Sequence, residues 1–198
     1  MEKPGAVRPG FVGRLVRIAR SRRLVPILFV IEVLETTILP LPYEALFVAL
    51  CLSARDRIWL FVLVTVAGSA VAGAIMYGLG ATYIDAIAER FGVAEAVAAY
   101  TAEVAERGAT LIFLGGTTAA PSQLINMAAG AGGYPFGAFV AVFTGSRFLR
   151  FLVLGLALYW FGDDIARGWA KLPRWLKAGL TVLILAAVGW WFVSGVSD

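Results

Sequence analysis

The chain has 198 residues, 60% of them hydrophobic, with a mean hydropathy of +0.83 and a formal net charge of +4. Since a soluble globular domain averages roughly 45–50% apolar residues and no half of this chain is polar, we expect one integral membrane domain. The chain has no histidine and one cysteine, which excludes histidine catalysis, histidine-bound metal, an intrachain disulfide and a cysteine-clustered metal site. It also lacks a nucleotide-binding loop and a nucleophile–base pair. We therefore expect a protein that is not an enzyme and uses no metal or cofactor.

Residues 1–23 are predicted to form a basic amphipathic arm and contain seven of the 17 basic residues. Phe11, Leu15 and Ile18 fall on one face of a helix, and the arginines between them fall off that face. This pattern is typical of a helix on an anionic membrane surface, and we favour lipid over nucleic acid as its partner. A secretory signal would also begin with basic residues. The apolar run that starts at Leu24, however, contains two glutamates and no small-x-small cleavage site, so we do not interpret this segment as a signal peptide.

The apolar stretch 24–54 is predicted to be a re-entrant hairpin. Its 31 residues are too many for one helix and too few for two complete spans with a turn. Pro40 and Pro42 interrupt it near the middle, because proline removes a backbone donor and clashes with the preceding helical turn. Two half-length helices meeting at a non-helical tip are therefore expected.

A second apolar stretch, 109–132, follows the same plan, with its tip at Pro121. Both interruptions carry the pattern TTxxP, at 36–40 and at 117–121. Each predicted hairpin is followed by a complete transmembrane helix, so the order of elements occurs twice. The remaining predicted segments are transmembrane helices at 58–80, 136–161 and 178–196 and an external amphipathic segment at 82–108.

The distribution of charge predicts a cytoplasmic N-terminus, since basic residues favour the inner side of the membrane. The segment 82–108 carries five acidic residues against two basic ones, as expected outside, and the loop after 136–161 is basic again. The rule holds if both broken stretches are hairpins or if both are spans, and their length favours hairpins. Two hairpins entering from opposite faces form an inverted repeat, an architecture found in many secondary transporters.

Five charged residues fall inside predicted membrane segments: Glu32, Glu35, Glu44, Arg147 and Arg150. A charge at the bilayer centre costs about 2.5–3.5 kcal/mol on insertion scales and is a functional-site hypothesis by default. One interpretation is structural, with the arginines and carboxylates neutralising one another. The other is an anionic ligand: arginine binds phosphate through a planar fork, and carboxylates shielded from water can exchange protons.

Polar side chains near the two interruptions are further candidates for binding a phosphate group. Threonine hydroxyls near a helix break also commonly bond to their own backbone, and for the threonines we favour that alternative. Backbone N–H groups freed at the two tips would add donors for an anion. The candidate side chains are those of Thr36, Thr37, Thr117, Thr118, Ser122, Gln123 and Asn126.

Residues 35–44, ETTILPLPYE, resemble the ExxxxPxPxE signature of the first re-entrant loop of the DedA family, also known as the VTT or SNARE-associated superfamily. PSQLINMAAG at 121–130 resembles the second loop of that family. GSRFLRF at 145–151, followed by YWFG at 159–162, is most similar to the YqaA-like branch. The resemblance covers about residues 30–162 and implies paired inverted re-entrant hairpins in a bacterial inner-membrane protein.

The resemblance also implies roles for individual residues. Glu35 and Glu44 match the family's essential acidic positions, and Arg147 and Arg150 match basic positions of the YqaA-like branch. Gln123 departs from the pattern, because many relatives have arginine or lysine at that place. The expected site therefore has proton-coupling carboxylates and phosphate-binding arginines, with one basic residue fewer than in many relatives.

These observations lead to three hypotheses about function. The first, which the resemblance implies, is a lipid translocase that moves undecaprenyl phosphate or a phospholipid between leaflets, either passively or coupled to protons. The second is a proton-coupled carrier of a small solute or ion with the same architecture, and the third is a membrane scaffold whose buried charges are structural. The expected partners are lipid and the membrane, not nucleic acid, and the expected assembly is a monomer or a homodimer.

Overall fold

In a computed structural model, the structure describes residues 11–38, 43–118 and 122–171. Over these residues every regular element is helical, which confirms the predicted all-α class. Pro40, Pro42, Pro121 and the predicted span 178–196 lie outside the described residues. The elements are α1 (Phe11–Ala19), α2 (Leu24–Thr37), α3 (Tyr43–Ser53), a 3-10 turn (Arg55–Arg57), α4 (Ile58–Phe91), α5 (Ala94–Arg107), α6 (Ala109–Thr117), α7 (Ser122–Ala131) and α8 (Phe136–Lys171).

The same order of elements occurs twice along the chain: a short helix, an interruption, a second short helix and then a long helix. The first set is α2, α3 and α4, and the second is α6, α7 and α8. The first interruption follows Thr37, and the second follows Thr117, where Thr118 has extended backbone. Helix α7 begins at Ser122.

Among the described residues, two helices are long and apolar enough to cross a bilayer. The segment Arg55–Ile84 has a mean hydropathy of 2.2 and Phe136–Asp164 has 1.6. At 1.5 Å per residue each is about 45 Å long, against about 30 Å for the hydrocarbon core. Helix α4 continues past the predicted span through a distortion at Tyr83 and ends where Gly92 adopts a positive φ of 65°, a common way to terminate a helix.

The chain divides into two compact units, the first ending at Trp160 and the second beginning at Phe161. In the second unit, the described residues are helical, and Arg167 pairs with Asp164 at 2.6 Å. All residues of the candidate site belong to the first unit.

The buried apolar residues of the first unit form two clusters, and α8 contributes to both. One cluster joins α1, α2, α3 and α4 with Phe151 and Leu158 of α8. The other joins α5, α6 and α7 with Phe139 and Phe143 of α8. The stretch of α8 between Phe143 and Phe151 therefore lies between two apolar clusters, and it contains both arginines.

Helices α4 and α7 pack with their backbones in direct contact, which two glycines make possible. A Cβ atom placed on Gly80 would overlap the carbonyl of Met127, and one placed on Gly130 would overlap the carbonyl of Tyr77. The hydroxyl of Tyr77 also donates a hydrogen bond to the carbonyl of Tyr134. This contact holds α7 against α4 and sets the position of Ser122 at the start of α7.

Candidate functional site

Arg147 is a buried cation in the middle of α8, with only 7% of its surface exposed. Its Nη2 donates a hydrogen bond of 2.7 Å to the hydroxyl of Ser122, and its guanidinium lies 5.3 Å from the centre of the Phe143 ring. Its Nε has no hydrogen-bond partner among the described residues. The Nε–H group of Arg147 is therefore a buried donor without a partner among the described residues.

Glu32 is the most deeply buried carboxylate of the site, with 1% of its surface exposed. Its Oε1 accepts hydrogen bonds from the hydroxyl of Ser69 on α4 and, at 3.4 Å, from that of Thr36. Gly68 makes the approach of the helices possible, since a Cβ atom there would lie 2.9 Å from Cγ of Glu32. The other oxygen, Oε2, has no partner within the part of the chain that the structure describes.

Arg147 is close enough to interact electrostatically with both Glu32 and Glu35. Within the described ranges, however, none of the ion pairs closer than 4.0 Å joins Arg147 to either carboxylate. Arg147 is therefore near Glu32 and Glu35 without forming an ion pair with either of them among the described residues.

The Glu32–Ser69 hydrogen bond lies at the midpoint of a candidate span. Ser69 is 14 residues from Arg55 and 15 from Ile84, which corresponds to about 21 Å and 22 Å of helix. Arg147 is 11 residues from Phe136, or about 16 Å. Both charges are therefore far from the ends of the long apolar helices.

Arg150 connects the helix pair α2–α3 with the helix pair α6–α7. Its Nη2 forms an ion pair with Glu44 at the start of α3, and its Nη1 donates to the carbonyl of Thr118 at 2.5 Å. The Arg150 side chain is 19% exposed and that of Glu44 is 54% exposed. Arg150 therefore joins the start of α3 to the end of α6.

Replacing Glu44 with glutamine should lower the free energy of unfolding by less than about 1 kcal/mol, because Glu44 is 54% exposed and an ion pair with one exposed partner contributes little. Replacing Arg150 with glutamine should cost more, since the bond to the Thr118 carbonyl is lost as well. Denaturant unfolding in detergent would measure both changes, with Asp164→Asn as the control for an exposed pair. A larger loss for Glu44→Gln than for Arg150→Gln would contradict this interpretation.

Three of the candidate threonines bond to their own helices, in line with the alternative favoured for them. The hydroxyl of Thr37 donates to the Val33 carbonyl at 2.7 Å. Those of Thr117 and Thr118 donate to carbonyls of α6. Their side chains therefore stabilise the helix ends, and the backbone carbonyl of Thr118 is the group that contacts Arg150.

Thr36 and Gln123 lie within the site itself. The Thr36 hydroxyl bridges Glu32 and Glu35, with distances of 3.4 Å and 3.2 Å. The Nε2 of Gln123 donates to the backbone carbonyl of Glu35 at 3.4 Å. Gln123 thus links α7 to the end of α2.

Asn126 is fully buried on α7, and neither atom of its amide group has a partner among the described residues. It lies one helical turn after Ser122, which holds Arg147. The structure therefore brings together the arginines, the three glutamates, Thr36, Gln123 and Asn126 on α2, α3, α7 and α8.

Sequence reasoning missed two buried polar contacts of this region. Ser69, the partner of Glu32, lies within an apolar span where a single serine gives no signal of its own. The hydroxyls of Tyr43 and Thr65 lie 2.6 Å apart and join α3 to α4. The only hint in the sequence is that Ser69 follows Gly68, a pair that allows close helix contact.

The chain resembles known proteins over most of its length. The sequence model described as the VTT domain matches residues 41–160. An uncharacterized protein of Haemophilus influenzae is 24% identical over 167 residues, which is 82% of this chain and 85% of that protein. No solved structure matches the chain significantly.

The VTT match extends from just before α3 into α8 and so contains Glu44, Arg147 and Arg150, while Glu32 and Glu35 precede it. The assignment to the YqaA-like branch stays a prediction. The match covers 120 of 198 residues. The chain is therefore a membrane protein that belongs to the VTT domain family, the DedA family.

Proposed function

We propose that this protein is a translocase for a lipid with a phosphate headgroup, either undecaprenyl phosphate or a phospholipid, in a bacterial inner membrane. The observation that carries the proposal is Arg147, a buried guanidinium held by Ser122 that forms no ion pair with a carboxylate of the described residues. A charge left unpaired in a protein interior is costly. An anion that binds next to Arg147 would offset this cost.

The interrupted helices suggest how a headgroup reaches this arginine. We propose that α2–α3 and α6–α7 are re-entrant hairpins entering from opposite faces, with the N-terminus in the cytoplasm. Non-helical backbone at membrane depth is tolerated where it is buried in protein or lines a wet cavity. The bond from Gln123 to the Glu35 carbonyl and the two bonds of Arg150 support a meeting of the two hairpins at the site.

The carboxylates are proposed to couple the movement of the headgroup to protons. Glu32 has one oxygen held by Ser69 and Thr36 and one without a partner among the described residues. Protonation of a carboxylate near Arg147 would remove the competing negative charge and favour the phosphate. The proposed cycle has no covalent step and uses no cofactor.

Leaflet exchange in reconstituted vesicles would test the proposal. Purified protein would be inserted into liposomes with labelled undecaprenyl phosphate or labelled phospholipid, with and without a pH gradient, as wild type and as Arg147→Gln. We expect movement of undecaprenyl phosphate that responds to the gradient and is lost in the variant. Equal movement of both lipids that ignores the gradient would indicate a scramblase instead.

If neither lipid moves, the lipid proposal is wrong. Further measurements would then distinguish a solute carrier from a membrane scaffold. Uptake of a soluble anion driven by the gradient would indicate a solute carrier. No transport together with a large loss of stability in Arg150→Gln would indicate a scaffold, since the Arg150–Glu44 ion pair is what favours that alternative.

Glu32→Gln should remove the response of lipid movement to the pH gradient while leaving exchange without a gradient within about threefold of wild type. Glutamine has nearly the shape of glutamate and still accepts hydrogen bonds through its amide oxygen, so the bond from Ser69 is retained. The same vesicle assay would measure the effect, with Glu103→Gln on α5 as the control. A gradient response equal to that of wild type would assign proton coupling to another residue.

A further inference from the structure

Several buried polar atoms on α2, α7 and α8 have no hydrogen-bond partner among the described residues. Three of them are on groups that donate: the Asn126 amide nitrogen, the Thr144 hydroxyl and Nε of Arg147. Asn126 is fully buried. A buried donor left without a partner lowers stability, and natural proteins keep few of them. Three such donors on two consecutive helices suggest a site for a molecule that accepts hydrogen bonds.

The register of α7 and α8 places these donors on neighbouring turns. A turn of four residues, 132–135, joins the two helices, and helices joined so briefly are antiparallel neighbours. The hydrogen bond from Arg147 to Ser122 gives one point at which the two helices meet.

Asn126 lies four residues after Ser122 on α7, and Thr144 lies three residues before Arg147 on α8. Residues three or four apart lie on the same side of a helix. Both steps lead toward the connecting turn, so Asn126 and Thr144 reach the same level of the two helices. The packing of Ile125 and Phe143 in one apolar cluster agrees with this register.

We infer that Asn126, Thr144 and Arg147 together form the pocket for the phosphate group, with Thr144 as a residue that sequence reasoning did not single out. The inference rests on the proposed function and specifies where the headgroup binds. Phosphate oxygens accept several hydrogen bonds at once, and arginine with neutral N–H and O–H donors is a common environment for them. The Asn126 amide and the Thr144 hydroxyl supply donors without adding positive charge. The phosphate is therefore held less tightly than by further arginines, and a transport site must also release its ligand.

The test compares phosphate binding with stability in Asn126→Leu and Thr144→Val. Both variants replace a polar group by an apolar one of similar size, which at an unpartnered buried position is neutral or stabilising. We therefore expect an unfolding temperature equal to or above that of wild type. In the same variants, the Kd for a radiolabelled polyprenyl phosphate in detergent should rise about tenfold, as expected for the loss of one bond to a charged group.

Thr101→Val is the matched control, because the Thr101 hydroxyl bonds to the Val97 carbonyl of its own helix. It should bind the polyprenyl phosphate as wild type does. The combination of preserved stability and weakened binding separates a ligand site from a structural role. A fall in the unfolding temperature of both variants would show that the groups have partners within the protein and would overturn the inference.

Two further outcomes separate this inference from the proposed function. If wild type binds and moves the polyprenyl phosphate and both variants bind it equally well, the pocket is wrong and the translocase proposal stands. If wild type neither binds nor moves it, the proposed function fails and the inference fails with it. A competition arm identifies the source of the phosphate: displacement by millimolar inorganic phosphate indicates a soluble anion, and displacement by lipid phosphate alone indicates a headgroup.

Discussion

Replacing Arg147 with glutamine should reduce lipid translocation about a hundredfold while leaving the protein folded. The loss corresponds to removal of a charged, forked donor worth about 3 kcal/mol at the transported phosphate. The free energy of unfolding should stay the same or rise, because the guanidinium is buried and bonded to Ser122 rather than to a carboxylate. Vesicle exchange and denaturant unfolding, carried out on the same preparation, would measure both quantities.

Two companion variants sharpen this prediction. Arg147→Lys keeps the charge but loses the planar fork, and we expect it to recover only a small part of the activity. Arg20→Gln, in an exposed pair with Asp56, should behave as wild type. If Arg147→Gln instead lost about 3–5 kcal/mol of stability, Arg147 would be the structural partner of a buried charge, and the phosphate role would be wrong.

The largest loss of stability is expected from Gly130→Ala and Gly80→Ala, at about 3 kcal/mol each. At both positions the new Cβ atom would overlap backbone of the facing helix, which cannot rotate away as a side chain does. Restoring the contact would require α4 and α7 to separate along their whole interface. Thermal unfolding in detergent would measure the loss.

Gly78→Ala is the matched control on α4, because a Cβ atom there would meet nothing within 4 Å. We expect it to be neutral or to gain up to about 1 kcal/mol from the better helix propensity of alanine. Equal stability of Gly130→Ala and Gly78→Ala would mean that α4 and α7 are farther apart than the structure places them. A loss of translocation in Gly130→Ala would further link this contact to the position of Ser122.

Much of the helical framework could be predicted because it depends on residues close together in the chain. Length and hydropathy indicate the long apolar helices, and proline marks the interruptions. The end of α4 was harder, since the helix continues through Tyr83 to Gly92. No single residue between the predicted span and Gly92 is strong enough to stop a helix already supported by packing.

The partners of the charged residues could not be predicted in the same way. Arg147 and Arg150 are three residues apart and were expected to act together. They lie on the same helix but differ in their contacts: Arg147 bonds to Ser122, and Arg150 pairs with Glu44. Which arginine has a carboxylate partner depends on how α3 and α7 approach α8, and helical spacing carries no information about that approach.

The sequence by itself determined the membrane class, the family and the set of charged residues that must avoid lipid, because hydropathy and local motifs are properties of contiguous residues. Only the tertiary structure decided that Glu32 is the buried carboxylate held by Ser69, and that the polar contacts of the site join residues 25, 37 and 106 positions apart. Such contacts depend on glycines that let helices approach closely and on two apolar clusters that place α8 between them. They are set by packing in three dimensions, which no short stretch of sequence specifies.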